Sequence, residues 1–220
     1  METASTKSRA LEAALELFSR QGYQGASMGD IAAALGIKAP SLYKHFPGGK
    51  EELYAALFPL LDEHYRHLWS ETARRQEQLE RDLASLGTLS AQRLEQETMA
   101  WLQGEMEDAE GGQFRRLMAR GQFEDAGYLD RWLWNEPVAL YEGFFTRLIG
   151  REILRRGEPR VMAVEYLAPL FTLLAQRDRS QESQDACLAE ARAHIRQFHR
   201  IFAHREQPRP QTGVSRLFRR

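Results

Sequence analysis

Apolar residues recur along this chain with helical spacing nearly from end to end, and no stretch alternates as a strand would. Leu11, Ala14, Leu15 and Phe18 share one face of a helix predicted over residues 7–21, with Gly22 as its stop. Met28, Ile31, Ala32 and Leu35 follow at i, i+3, i+4, i+7, led by Ser27 and Asp30 in capping-box spacing and closed by Gly36. A second short helix fits residues 40–46, with Pro40 in its first turn and Leu42 and Phe46 as its inner face. Pro47-Gly48-Gly49 ends it. Two short helices around a glycine turn read as a helix-turn-helix.

From Lys50 the pattern stays helical. Leu53, Leu57, Leu60, Leu61, Tyr65 and Leu68 form a stripe, Pro59 predicts a kink, and the charged residues 71–82 predict a wet stretch up to Gly87. A helix over residues 90–107 presents Leu94, Met99, Trp101, Leu102 and Met106, and Gly111-Gly112 predicts a break. Residues 113–157 are rich in aromatics and interrupted by Gly121, Gly127 and Pro137, which suits short helices around an internal cavity. Met99, Trp101, Met106, Phe123, Tyr128, Trp134, Tyr141 and Phe145 are its candidate lining; the alternative is plain core. Two helices over residues 158–176 and 181–204 close the body. Val164, Leu167 and Phe171 lie on the apolar side of the first, and Leu188, Ala191, Ile195, Phe198 and Phe202 make a bundle-like seam on the second. Residues 205–220, with Pro208, Pro210 and scattered Arg, read as a loose basic tail.

Charge sharpens this division. The net charge is −1, but residues 1–50 carry six Lys and Arg against four Asp and Glu. Residues 51–204 carry 19 against 26, and the tail five against one. All four lysines lie in the first fifty residues. A basic head on an acidic body is the balance expected of a small nucleic-acid reader on a larger partner. The second short helix has matching chemistry: Lys38, Ser41, Lys44 and His45 offer charge and hydrogen bonds, and Tyr43 a hydroxyl on a stiff ring.

The residues themselves narrow the reading. Ile31-Ala32, Leu35-Gly36-Ile37, Ser41-Leu42-Tyr43-Lys44-His45-Phe46 and Lys50-Glu51-Glu52-Leu53 together resemble the amino-terminal domain of tetracycline-repressor-like (TetR family) transcription regulators, over roughly residues 8–54. The resemblance implies an all-α fold: a three-helix DNA-binding domain over residues 1–50, and a helical ligand-binding and dimerisation domain over 51–204. It implies that Tyr43, His45 and Lys50 contact phosphates and that Lys38, Ala39, Ser41, Leu42 and Lys44 face the major groove; Ser27, heading the supporting helix, is counted with them. Lys38 and Pro40 stand where many members carry Ser or Thr and Gly, so the recognition helix lacks an obvious side-chain cap. The implied partners are a double-stranded operator, a small-molecule effector, and a second copy across the last two helices through Val164, Leu167, Phe171, Leu188, Ala191, Ile195, Phe198 and Phe202. Packing of that seam within the monomer is the alternative.

Other chemistry finds little support. His64 and His67 at i, i+3 have no second ligand pair nearby, and His194, His199 and His204 do not share a face. Neither a phosphate-binding loop nor a nucleophile or zinc-hydrolase motif occurs, so no catalytic constellation, metal or cofactor is expected. One cysteine, Cys187, 43% hydrophobic residues, a mean hydropathy of −0.54 and no ~20-residue apolar run point to a cytoplasmic globular protein. The function expected is a dimeric, ligand-released repressor. The alternatives are an activator or protein-responsive regulator of the same fold, or a helical adaptor that no longer binds DNA.

Overall fold

The computed structural model describes residues 5–86, 91–120, 130–180 and 183–203. The described residues are helical with no strand, apart from an isolated bridge between Leu154 and Ala203. The order is α1 (Thr6–Gly25), α2 (Met28–Ala34), α3 (Ala39–Tyr43), α4 (Gly49–Ala55), α5 (Phe58–Leu86), α6 (Ala91–Glu107), α7 (Ala109–Ala119), a π-helical turn (Arg131–Asn135), α8 (Glu136–Gly150), α9 (Pro159–Ser180) and α10 (Gln184–Phe202).

Local chemistry accounts for the head. The Ser5 hydroxyl caps α1, and Gly22, at φ 78° and ψ 168°, bends the chain out of it. At α2 the capping box closes: the Ser27 hydroxyl accepts from Asp30 N, and the Asp30 carboxylate accepts from Ser27 N at 2.9 Å. That bonding holds the Asp30 carboxyl below its usual pKa. Gly36, at φ 67°, turns the chain toward α3. The recognition helix is shorter than expected, ending at Tyr43, although Phe46 N still bonds the Leu42 carbonyl. Lys38 at its start gives no side-chain cap.

Three expectations for the body are corrected. The kinked helix through Pro59 is two helices, α4 and α5, and Pro59 sits in the first turn of α5, where its missing N–H removes no helical bond. The charged stretch of α5 is wet on one side only. Thr72, Gln76, Leu79, Glu80 and Leu83 continue the buried stripe of Leu61, Tyr65 and Trp69, and Glu80 accepts from Arg147 Nε of α8 at 2.6 Å. Gly111-Gly112 is no break: both are buried inside α7, whose start is set by Asp108 accepting from Gly111 N. Glycine is needed there because a Cβ at 111 would stand 2.7 Å from Asp108 Oδ2 and 3.1 Å from His64 Nε2.

One apolar core runs from Phe18 and Leu42 in the head to Phe145, Tyr166 and Phe198 in the body. Arg115 of α7 crosses its edge. Arg115 donates to Glu105 Oε2 of α6 at 3.0 Å and to Asp178 Oδ2 of α9 at 2.6 Å, tying three helices together. Burial pushes the Glu105 carboxyl up to about 7.

Candidate nucleic-acid interface and body cavity

The head presents α3 on a firm base. Leu42 and Phe46 are buried against Ile31, Ala32 and Leu53, so the opposite side faces outward. On it Lys38, Tyr43, Lys44 and His45 are exposed, with Tyr43 46% accessible; Ser41 is half-buried, and Ser27 stands exposed at the start of α2. Two cations, a phenol and an imidazole on and beside one short helix suit phosphate and base-edge contacts.

Three residues of the expected set are placed otherwise. Leu42 is fully buried and belongs to the head's core, so it cannot face a groove. Ala39 is half-buried and packs against the same core. Lys50 is half-buried, and its ammonium donates to the Tyr23 carbonyl at 2.9 Å and the Ala26 carbonyl at 3.2 Å while lying 4.2 Å from the Tyr23 ring centroid. Its place here is to tie the end of α1 to α4, not to present a free charge to phosphate.

The body holds a cavity of about 660 Å³ between α7, the π-helical turn and α9. Its apolar wall includes Leu133, Trp134, Ala168 and Phe171; its polar wall includes Arg115, Arg116, Arg120, Thr172, Arg179 and Asp178. The volume lies within the range of small-molecule sites, ~300–1,000 Å³. Of the lining residues expected from sequence, Trp134 is in this wall. Trp101 and Tyr141 border a separate void of about 40 Å³. Met99, Met106 and Phe145 are buried core, Phe145 stacking on Phe198. Phe123 and Tyr128 lie outside the described residues. The arginines were missed, because α7 and α9 lie about sixty residues apart and nothing local links them.

The seam is also placed differently. Leu167, Leu188, Ala191, Ile195 and Phe198 are buried within one chain, between α6, α8, α9 and α10. They hold the monomer together and are not free for a partner. Val164, Phe171 and Phe202 are half-buried, and Phe171 lines the cavity. The apolar residues that the last two helices turn outward include Val161 on α9, and Ala186, Ala193 and Ile201 on α10.

A small three-helix head with an outward-facing third helix, set on a long all-helical body, defines a protein built around an amino-terminal helix-turn-helix domain. Comparison with known proteins finds a matching family model for the head. Residues 10–57 match the description of bacterial regulatory proteins of the tetR family. The head is 43% identical over 53 residues to the HTH-type transcriptional regulator LmrA of Bacillus subtilis, and 37% identical over 59 residues to the HTH-type transcriptional regulator AcrR of Shigella flexneri. Those matches span 24% and 27% of this chain and only 28% and 27% of the two relatives' lengths. The fold extends further. SmeT, the repressor of the Stenotrophomonas maltophilia multidrug efflux pump SmeDEF, superposes with a TM-score of 0.63 at 18% identity over 96% of this chain and 97% of that one. SmeT in complex with triclosan superposes at 0.60, at 17% identity over 92% and 94%. By sequence the head resembles the amino-terminal domain of the tetR family of bacterial regulatory proteins, and the whole chain shares the fold of solved structures such as SmeT. Among the described residues no helix is long and apolar enough to cross a membrane.

Proposed function

We propose that this protein is a dimeric repressor of transcription that leaves its operator when a small molecule fills the body. The observation that carries the reading is the exposed set Lys38, Tyr43, Lys44 and His45 on a helix anchored by buried Leu42 and Phe46. Tyr43 and His45 position the head on phosphates; Lys38, Ser41 and Lys44 are where base specificity resides. The division into a DNA-binding head over residues 1–50 and a ligand-binding, dimerising body over 51–204 belongs to the same proposal. A second copy docks on the outward faces of α9 and α10, through Val161, Ala186, Ala193 and Ile201, and the two heads meet a pseudo-palindrome with half-sites about 34 Å apart or a multiple. Support for a small-molecule effector is the 660 Å³ cavity, together with SmeT, a repressor of this fold that is known in complex with triclosan.

The missing cap at Lys38 favours a second reading, a helical adaptor whose head no longer grips DNA. Selection of genomic fragments by the purified protein at near-physiological salt separates them. Recovery of a short palindrome is the expected result; fragments held without sequence preference, or none, support the adaptor. A rise in target expression on deletion of the gene distinguishes repression from activation.

A further inference from the structure

Among the described residues the cavity wall carries four guanidinium groups, from Arg115, Arg116, Arg120 and Arg179, against one carboxylate, Asp178. That carboxylate is committed to Arg115, which also meets Glu105 behind it. Arg116 Nη1 stands 3.9 Å from the other Asp178 oxygen, and Arg179 Nε donates to the Ala175 carbonyl one turn back in its own helix. Apart from Thr172, the rest of the described wall is apolar, with Leu133, Trp134 and Phe171 as its large side chains. A pocket with excess positive charge and a hydrophobic bed selects a molecule with an anionic end and an apolar body.

Arg120 connects this wall to the head. Its Nε donates to the Ser19 carbonyl at 2.9 Å and its Nη2 to the Arg20 carbonyl at 2.6 Å. Both carbonyls belong to the last turn of α1 before Gly22 leaves helical geometry, where a cation is favoured by unpaired carbonyls and the helix dipole. The edge of the guanidinium that forks two carbonyls is also the edge that forks a carboxylate, and the charged partner makes the stronger pair. The cavity and the latch therefore compete for one side chain.

We infer that the cavity takes an amphipathic anion, a carboxylate on an apolar or aromatic body, whose charged end draws the Arg120 guanidinium off the end of α1 and loosens the head. The inference names the ligand class and the coupling residue for the ligand-responsive reading above, and its consequence at DNA rests on that reading.

The test uses the full chain without DNA. Decanoate, decanol and decyltrimethylammonium, each below its micelle concentration, are titrated by calorimetry, and amide exchange along α1 is followed with and without decanoate. Decanoate is expected to bind at least tenfold tighter than either analogue, and Arg116→Gln with Arg179→Gln to abolish that preference. Decanoate should speed exchange at the end of α1 in the parent chain, whereas Arg120→Gln should show fast exchange from the start and no further response. Arg120→Lys, which keeps the charge but cannot fork, should retain the preference for decanoate with a weaker response at α1, and guards against a misfolded glutamine variant. Equal binding of the three probes overturns the ligand class. An undiminished response at α1 in both Arg120 variants overturns the latch. If fragment selection recovers no DNA while these results hold, it is the repressor reading that fails.

Discussion

Lys50 offers the sharpest separation between what family resemblance implies and what the structure places. As a phosphate contact, its removal would leave folding untouched and lower the salt slope of DNA binding by about 0.9 per subunit. As an internal tie, its removal costs stability. Lys50→Met keeps the aliphatic stem that packs along the head and deletes only the ammonium. The ammonium makes two hydrogen bonds to carbonyls, at 2.9 and 3.2 Å, and lies over Tyr23. A net ~1 kcal/mol for each bond is reduced because water replaces it at a half-buried site, and the ring contact adds ~0.5 kcal/mol, for a total of about 2 kcal/mol. For a chain of this length that lowers the midpoint of thermal unfolding by about 4–8 °C. Circular dichroism melts read the first quantity, and a salt titration on a selected fragment reads the second, with Lys44→Ala as the exposed control that leaves the melt unchanged. An unchanged melt with a reduced salt slope for Lys50→Met would refute the reasoning and return Lys50 to the DNA interface.

Three further substitutions probe the body. Gly104→Ala, with nothing within 4 Å of the new Cβ, should raise stability by about 0.4–1 kcal/mol, whereas Gly111→Ala, whose Cβ meets Asp108 and His64, should lower it by about 1 kcal/mol through loss of the α7 cap; equal denaturant midpoints for the two variants would contradict the helix start assigned to Asp108. Burial holds the His64 imidazole below its ordinary value of 6.5, against the opposing pull of Asp108 3.6 Å away. At this site the folded chain then binds fewer protons than the unfolded one, a contribution to stability that falls as pH drops through 6.5 and opposes the proton taken up by Glu105 below about 7; in melts from pH 7 to pH 5 His64→Leu should lose less stability on acidification than the parent chain, and a variant that loses more would mean that Asp108 dominates. Ile201→Glu with Ala193→Glu should give folded monomers in sedimentation, while Ile195→Glu should unfold the chain because it buries a charge in the core; a folded monomer from Ile195→Glu would place the seam at the partner interface after all.

The reach of the sequence followed the range of the interaction that decides each feature. Ser27 with Asp30, Gly36 and the Leu42–Phe46 pair are contacts within four residues or single-residue backbone requirements, and the head they build could be read in order along the chain. Residue type alone misled where two environments suit the same side chain. Lys50 has the chemistry of a phosphate contact and also that of a helix-end tie, and only the position of the Tyr23 and Ala26 carbonyls decides between them. In the body the helical period located the buried faces but not what they are buried against. Ile195 and Phe198 make the same stripe whether the neighbour is Tyr166 of their own chain or a second copy. Glycines carried the same ambiguity: a pair at 111–112 signals a break when read alone, but Asp108 and His64 crowd the position and make glycine a packing requirement inside a helix. The arginine-lined cavity lay furthest out of reach. Arg115 meets Asp178 across 63 residues and Arg120 meets Ser19 across 101, so each looked like one more charge on a wet face. On the ligand-responsive reading proposed above, that long range gives these contacts their weight, since coupling a ligand in the body to the head requires contacts that join distant segments.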